Sequence, residues 1–472
     1  MLVWATCISH VIGQPPNILL IVVDDQGYSD VGIDKRAYDV KTPGMDRLAE
    51  SGVRFSQAYA SAPICSAARC GLITGSYQER QGNFWFGGPG IPNASYPTLG
   101  EKLKAVGYRT GYIGKHHYGR GDGDTNHRNF PLNHGFDSFF GFSSSRKHYL
   151  IHEEAKEEAF LARRDEFQKT GNSLFQGGMW NNKEKVDVDG QSTEIFGDRA
   201  RSFIKESRDT PFYLHLSFNA VHNFTHQLPP EYLKENHLKG YYDYDPAVHD
   251  YMSWYIGSRQ PHNPEGRALY LGQLYYLDKE IGRLLDFLEE EGLRENTIIA
   301  YVSDNGGCTA IYANNEPLRG SKYTLYEGGI RIPMILSWPG HTEKGAVLDN
   351  VVSAMDIFPT VCAAAGINNP GTVDGLNLLS LLNGSNTSIG HDILVWDIGF
   401  ETAVRKGNWK LKTAKTNSHA QRQQLDVRVG EFLYNLEDDP GETRDLWRVY
   451  PDKVKELKAI YQTWRMEMDG AG

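Results

Sequence analysis

Asn17-Ile18-Leu19-Leu20-Ile21-Val22-Val23-Asp24-Asp25 decides the architecture. An unbroken apolar run, rich in β-branched residues and without polar alternation, reads as a strand buried on both faces, as in a parallel sheet covered by helices on either side. Working outward, Arg109 to Ile113, Phe212 to Phe218, Thr297 to Val302 and Ile332 to Trp338 repeat the pattern. Helices are predicted over Gly44 to Ser51, Thr98 to Val106 and Leu269 to Glu291, where apolar residues recur at helical spacing. The expected fold is α/β: a large, mainly parallel sheet sandwiched by helices. Near residue 385 the strands shorten, as in Ile393 to Trp396 and Trp409 to Lys412, and a last helix is predicted from about Asp452. The expected organisation is therefore a large domain over 15–384 and a smaller C-terminal antiparallel α+β subdomain over 385–472.

Bulk properties narrow the function. The chain has 472 residues, 40% of them hydrophobic, and a formal net charge of −10. That balance argues against a protein that wraps nucleic acid, so any anionic substrate must meet a local basic pocket. Five cysteines without a Cys-x-x-Cys pair indicate neither a disulfide framework nor a structural zinc site. Cys70, Cys308 and Cys362 are expected to be small buried thiols. Residues 1–14 read as a signal-like leader remnant, and no later segment reaches transmembrane length, so a secreted or periplasmic protein is expected.

Four predicted strands are followed at once by residues able to do chemistry: Asp24 and Asp25, Lys115 and His117, His222, and Asp304 with Asn305. In open α/β sheets the ligand site lies beyond the carboxyl ends of the strands, so these groups can converge. One Asp-Asp or Asp-Asn pair after a strand often only caps a turn, but two such pairs favour a metal. An all-oxygen set selects a hard cation, and calcium suits a cage of protein oxygens better than magnesium, which keeps its waters. Between them lies Cys65-Ser66-Ala67-Ala68-Arg69-Cys70-Gly71-Leu72-Ile73-Thr74-Gly75. A thiol at the head of a helix, with a cation one turn on, should have a lowered pKa, which makes a cysteine hydrolase a fair reading. The surrounding carboxylates do not fit that reading, because they suit a cation and not a thiolate.

The Cys65 run resembles the signature of the type I, formylglycine-dependent sulfatases of the alkaline phosphatase superfamily. Pro16 to Gly27 is similar to that family's opening strand and metal pair, and Gly114-Lys115-His116-His117-Tyr118-Gly119 to its Gly-Lys-x-His-x-Gly motif. Ser303-Asp304-Asn305-Gly306, Leu318-Arg319-Gly320-Ser321-Lys322, Glu327 to Pro333 and Leu433 to Glu442 follow in the family's order. The resemblance implies an alkaline phosphatase-like fold and a Cys65 converted to formylglycine (3-oxoalanine) by a formylglycine-generating enzyme. It implies a calcium ion held by Asp24, Asp25, Cys65, Asp304 and Asn305. On the same resemblance, hydrated formylglycine would attack the sulfate sulfur, Arg69 would orient it, and Lys115 and Lys322 would neutralise sulfate oxygens. His222 would protonate the leaving alcohol, and His117 would take the proton that restores the aldehyde. The resemblance also implies that Lys115, His222 and Lys322 are substrate-binding residues. The chain departs from the pattern at Ala67, where proline is common, at His116, where tryptophan is frequent, and around His222, whose Val221 and Asn223 neighbours differ from Pro-His-x-Pro.

The expected function is a sulfuric ester hydrolase acting on a sulfated carbohydrate. Two stretches, 146–190 and 239–264, carry aromatic and histidine side chains (Tyr241, Tyr242, Tyr244, His249, Trp254, Tyr255, His262) and read either as a substrate wall or as surface excursions. Alternatives are an arylsulfatase on small esters, a phosphate or phosphonate ester hydrolase of the same superfamily, and a non-catalytic glycan-binding scaffold with Cys65 unmodified.

Overall fold

The structure is a computed structural model that describes residues 15–91, 95–143, 149–151, 179–242, 249–422, 425 and 427–470. The leader-like residues 1–14, most of the 146–190 stretch and Tyr244 lie outside the described residues. Among these, ten strands form the main sheet in the order β12 (Ala346–Ser353), β2 (Val53–Tyr59), β11 (Met334–Ser337), β10 (Thr297–Ser303), β1 (Asn17–Val23), β9 (Phe212–Ser217), β3 (Arg109–Lys115), β4 (Ser138–Phe142), β6 (Met179–Asn181) and β7 (Glu184–Val186). A short antiparallel pair, β5 (Leu150–Ile151) and β8 (Gly190–Gln191), stands apart.

The centre of the sheet, β10-β1-β9-β3-β4, is parallel, as the apolar runs predict. Alternate residues of β1 feed opposite cores: Leu19, Ile21 and Val23 face one, Ile18, Leu20 and Val22 the other. Helices Pro43–Glu50, Ser192–Glu206 and Gly266–Glu290 cover the first face, and Cys65–Thr74, Leu99–Ala105 and Ile357–Ala364 the second. The run Ile332 to Trp338 forms a shorter strand, β11, that lies antiparallel to β10 and β2.

Register sets the active edge. Val23 pairs with Ser303, Val22 with Ser217, and Ser217 with Gly114, so β1, β10, β9 and β3 end nearly level. The residues that leave those ends (Asp24, Asp304, Lys115) are thereby brought to one line before any side-chain preference acts.

After the main sheet the chain builds a four-stranded antiparallel sheet of β13 (Ile393–Asp397), β14 (Glu401–Lys406), β15 (Trp409–Ala414) and β16 (Gly430–Asn435). Helix Pro451–Asp469 packs Val454, Leu457, Trp464 and Met468 on one face of it, against Val395, Val404, Leu411 and Leu433. No helix among the described residues is long and apolar enough to cross a membrane.

Candidate active site

Cys65 is the first residue of a fully buried helix, and Arg69 lies one turn later on the same side. Gly75 closes the helix in the left-handed region at φ 65°. Arg69 donates from Nε to Asp304 Oδ2 at 2.8 Å and from Nη1 to the Lys115 carbonyl at 2.9 Å and Ser217 Oγ at 2.5 Å. One guanidinium thus ties together the ends of β10, β3 and β9. Lys115 gives its Nζ to Asp24 Oδ2, and Lys322 places Nζ 2.7 Å from Asp25 and 3.0 Å from Cys65 Sγ. Cys65 Sγ is 3.4 Å from Asp24 Oδ1. Asp25 adopts φ 61°, a conformation that aspartate tolerates better than most residues.

Lys322 reaches this centre because two loops approach backbone to backbone. Gly306 N–H donates to the Gly329 carbonyl at 3.0 Å and Lys322 N–H to the Gly307 carbonyl at 3.1 Å. A Cβ on Gly306 would stand 2.2 Å from the Gly328 carbonyl oxygen, so only glycine permits the contact.

Asp24, Asp25, Cys65 and His222 offer ligand atoms that all lie within 4.8 Å of one another. Asp304 sits at the rim of this cluster: Oδ2 is held by Arg69, while Oδ1 accepts the Asp25 N–H at 3.3 Å. Asn305 donates Nδ2 to Asp25 Oδ1 at 2.8 Å, and its Oδ1 is buried without a hydrogen-bond partner among the described residues. An orphaned carbonyl oxygen beside three carboxylates is what an oxygen-ligated cation would satisfy. The residues present therefore fit a hard divalent metal.

His222 puts Nε2 3.5 Å from Asp25 Oδ2, and its carbonyl accepts the Tyr149 hydroxyl at 3.1 Å. Asn223, held by the Tyr255 hydroxyl at 3.2 Å, lies against the ring. Trp254 stacks on Phe224, with centroids 6.0 Å apart. The described aromatics Trp254 and Tyr255 of the 239–264 stretch thus brace the His222 loop from within; Tyr242 is about half exposed, with its ring stacked 4.4 Å from that of Tyr241. His117 follows β3 with φ 44°, and its Nδ1 is buried without a hydrogen-bond partner among the described residues.

The charges around Cys65 do not act as the sequence suggests. Burial pushes the Cys65 thiol well up; Lys115 and Lys322 oppose this, and Asp24 and Asp304 add to it. Position at a helix start does not yield a thiolate here, and the cysteine-hydrolase reading loses its support. Burial, then Lys115, Arg69 and Lys322, hold His117 well below the usual histidine range. Burial alone would lower Lys322, but the Asp25 carboxylate beside it outweighs burial and raises it. Cys70, Cys308 and Cys362 are buried free thiols, as expected. Sequence reasoning missed Ser217 and Tyr149, which position Arg69 and the His222 loop; an isolated hydroxyl at a strand end carries no signal by itself.

Comparison with known proteins places this geometry. The family model described as Sulfatase matches residues 16–367, and that of N-sulphoglucosamine sulphohydrolase, C-terminal, matches 321–467. Arylsulfatase J of Mus musculus is 29% identical over 488 residues, covering 94% of this chain and 74% of its own length. N-acetylgalactosamine-6-sulfatase of Homo sapiens is 31% identical over 390 residues, covering 78% of this chain and 66% of its own length. The crystal structure of Ps i-CgsB in complex with k-i-k-neocarrahexaose superposes with a TM-score of 0.74 at 26% identity, covering 96% of this chain and 93% of that one. The phosphonate monoester hydrolase of Agrobacterium radiobacter shares the fold at 20% identity, with a TM-score of 0.64 over 96% of each chain. The family match over residues 16–367 and the 31% identity to N-acetylgalactosamine-6-sulfatase show that the chain belongs to the sulfatase family of sulfuric ester hydrolases.

Proposed function

We propose that this protein hydrolyses sulfate esters of a carbohydrate, with Cys65 in its formylglycine form as the nucleophile. The observation that carries the reading is the charge balance around Cys65. Three buried carboxylates (Asp24, Asp25, Asp304) meet three buried cations (Arg69, Lys115, Lys322). A divalent cation added to that balanced set leaves net positive charge in a low-dielectric pocket, which an anionic ester group offsets.

Asp24, Asp25, Asp304 and Asn305, with residue 65 itself, are the groups that would hold the metal, and their all-protein oxygen character favours calcium over magnesium. When bound, such an ion supplies Lewis-acid stabilisation of the negative charge that develops on the reacting oxygens. The protein's own residues divide the remaining work. Arg69, fixed by three strand ends, orients residue 65. Lys322 and Lys115 bring two desolvated positive charges to the reacting group, where they are worth more in the transition state than in water. His222 is the general acid for the leaving sugar oxygen. His117, kept neutral by burial and neighbouring cations, is the proton acceptor that resets residue 65.

A carbohydrate substrate is supported by two relatives, an N-acetylgalactosamine-6-sulfatase and a structure crystallised with a neocarrahexaose. Likeness to the phosphonate monoester hydrolase is a likeness of fold. We further propose residues 15–384 as the catalytic unit and 385–472 as a smaller unit built on β13–β16. The test is sulfate release, by ion chromatography, from sulfated glycans, an aryl sulfate and a matched phosphate ester, using protein made with a formylglycine-generating enzyme. Release from a glycan class supports the reading. Release from the phosphate ester alone overturns it.

A further inference from the structure

The backbone of His222 is well anchored. Val221 N–H donates to the Asp24 carbonyl at 2.8 Å, His222 N–H donates to the Asn219 carbonyl at 2.9 Å, and the His222 carbonyl accepts the Tyr149 hydroxyl. Its ring needs separate support, because an anchored backbone still leaves two side-chain torsions free. The Asn223 amide lies against the ring, with Nδ2 3.1 Å from Nδ1 and 3.4 Å from Nε2, while Nε2 reaches toward Asp25 Oδ2. Asn223 is buried, and its Oδ1 accepts the hydroxyl of Tyr255, which is buried as well.

Tyr255 is held in turn from the side of Lys322. It projects from the helix Tyr251–Gly257, and the Arg259 guanidinium lies over its ring at 4.5 Å. Arg259 Nη2 is 3.8 Å from Cys308 Sγ, and Gln260 N–H donates to the Ala310 carbonyl at 3.1 Å. Gly307, just before Cys308, accepts the Lys322 N–H. One connected brace therefore runs from the loop that meets Lys322, through Arg259 and Tyr255, to Asn223 and the His222 ring.

The amide suits both ends of a proton transfer. As the S–O bond to the leaving oxygen breaks, its electron pair stays on that oxygen and the Nε2 proton joins it, which leaves His222 with one proton, on Nδ1. An amide can meet a bare Nδ1 with Nδ2 or, turned over, meet Nδ1–H with Oδ1, and the Tyr255 hydroxyl can donate or accept in reply. A proton donor must also lie within hydrogen-bond reach of the atom it serves.

We propose that Asn223 and Tyr255 are positioning residues for protonation of the leaving group: they hold the His222 ring with Nε2 toward the reacting centre and act on the reaction only through it. This inference rests on His222 as the general acid of the function proposed above. Such residues matter most where the leaving oxygen is basic, and little where it departs unaided.

The test compares kcat/KM on phenyl sulfate and 4-nitrophenyl sulfate, which are similar in shape and differ in the basicity of the leaving oxygen. The proteins are wild type, Asn223→Ala, Tyr255→Phe, His222→Ala and the double variant His222→Ala/Asn223→Ala, all made with a formylglycine-generating enzyme, with sulfate release from glycans measured alongside. The 4-nitrophenyl-to-phenyl ratio should rise about tenfold in Asn223→Ala and about threefold in Tyr255→Phe, through kcat rather than KM. In the His222→Ala background, Asn223→Ala should change neither ester by more than about twofold. Equal losses on both esters, or an undiminished loss from Asn223→Ala once His222 is gone, overturn the positioning role while sulfate ester hydrolysis stands. A His222→Ala protein with the wild-type ratio removes the general acid and the positioning role together. The expected ratios without release from any glycan uphold the positioning role and overturn the carbohydrate reading.

Discussion

Lys410 offers the most searching test of how the C-terminal unit serves the site. It is wholly buried on β15, with Nζ 2.9 Å from Glu327 Oε1 and 2.9 Å from Glu442 Oε1. Glu327 closes the loop that carries Lys322, and Glu442 Oε2 accepts its backbone N–H at 2.6 Å. Glu401 on β14 accepts the Leu325 N–H at 3.1 Å, and Asn417 donates to the Tyr323 carbonyl at 2.9 Å. Residues 323–327 are therefore held by buried polar groups of the C-terminal unit. One lysine serves two carboxylates unequally: burial pushes Glu442 up, whereas Lys410, Arg331 and Arg405 outweigh burial at Glu327 and hold it low. Lys410→Met keeps the stem and removes the charge, leaving Glu327 and Glu442 facing each other in the interior. Breaking a buried ion pair from one side costs about 3–5 kcal/mol. Glu442→Gln, which leaves Lys410 and Glu327 as a simple pair, should cost about 1 kcal/mol. The assay is equilibrium guanidinium unfolding followed by fluorescence and circular dichroism, converted to free energy where the two transitions coincide, with sulfate release measured in parallel. The expected result is a large loss of stability and of kcat for Lys410→Met, and a small loss for Glu442→Gln. A Lys410→Met protein within about 1 kcal/mol of wild type and with normal turnover would refute the reasoning.

Three further outcomes follow from the same contacts. Lys322→Ala should lower kcat by about 10²–10³, the scale of one lost transition-state donor, and should destabilise metal-stripped protein more than calcium-loaded protein, because Asp25 keeps a cation only in the latter; equal destabilisation in both would show that the metal does not neighbour Asp25. Stripping with EDTA should lower the unfolding midpoint, and calcium should restore it at lower concentration than magnesium; an unmoved midpoint would discard the ligand set. Burial pushes the Asp278 carboxyl up to about 6 from an ordinary 3.8, so the native state holds the extra proton between those values and stability falls as pH rises through that window. The loss amounts to about 3 kcal/mol, and Asp278→Asn, compared with wild type by denaturant midpoints from pH 4 to 7, should remove that slope.

Much of this architecture is legible in the chain, for identifiable physical reasons. A strand buried on both faces must be apolar throughout, so β1 and β10 stand out and the residues that follow them fall at the active edge. The direction of a strand leaves no such trace, and Ile332 to Trp338 therefore reads as one more parallel strand although β11 is antiparallel. Half-buried β2, Val53–Tyr59, mixes Arg54, Ser56 and Gln57 with apolar residues and gives no continuous run. At the site, paired acids after strands are visible, but burial is a property of the whole fold. The Cys65 thiol is accordingly misjudged from its helix position, because desolvation outweighs the nearby lysines. Long-range pairs such as Lys410 with Glu327 and Glu442 cannot be read from spacing at all.

The central claim is that an aldehyde at position 65, and not a thiol, performs the hydrolysis. Protein should be made with graded amounts of a formylglycine-generating enzyme, the aldehyde fraction read from the mass of the Phe55 to Arg69 tryptic peptide, and sulfate release measured on the same samples. Activity should be proportional to the aldehyde fraction, with none from the intact thiol or from Cys65→Ala. Full activity with an intact thiol, or near-normal sulfate release by Cys65→Ala, would contradict it.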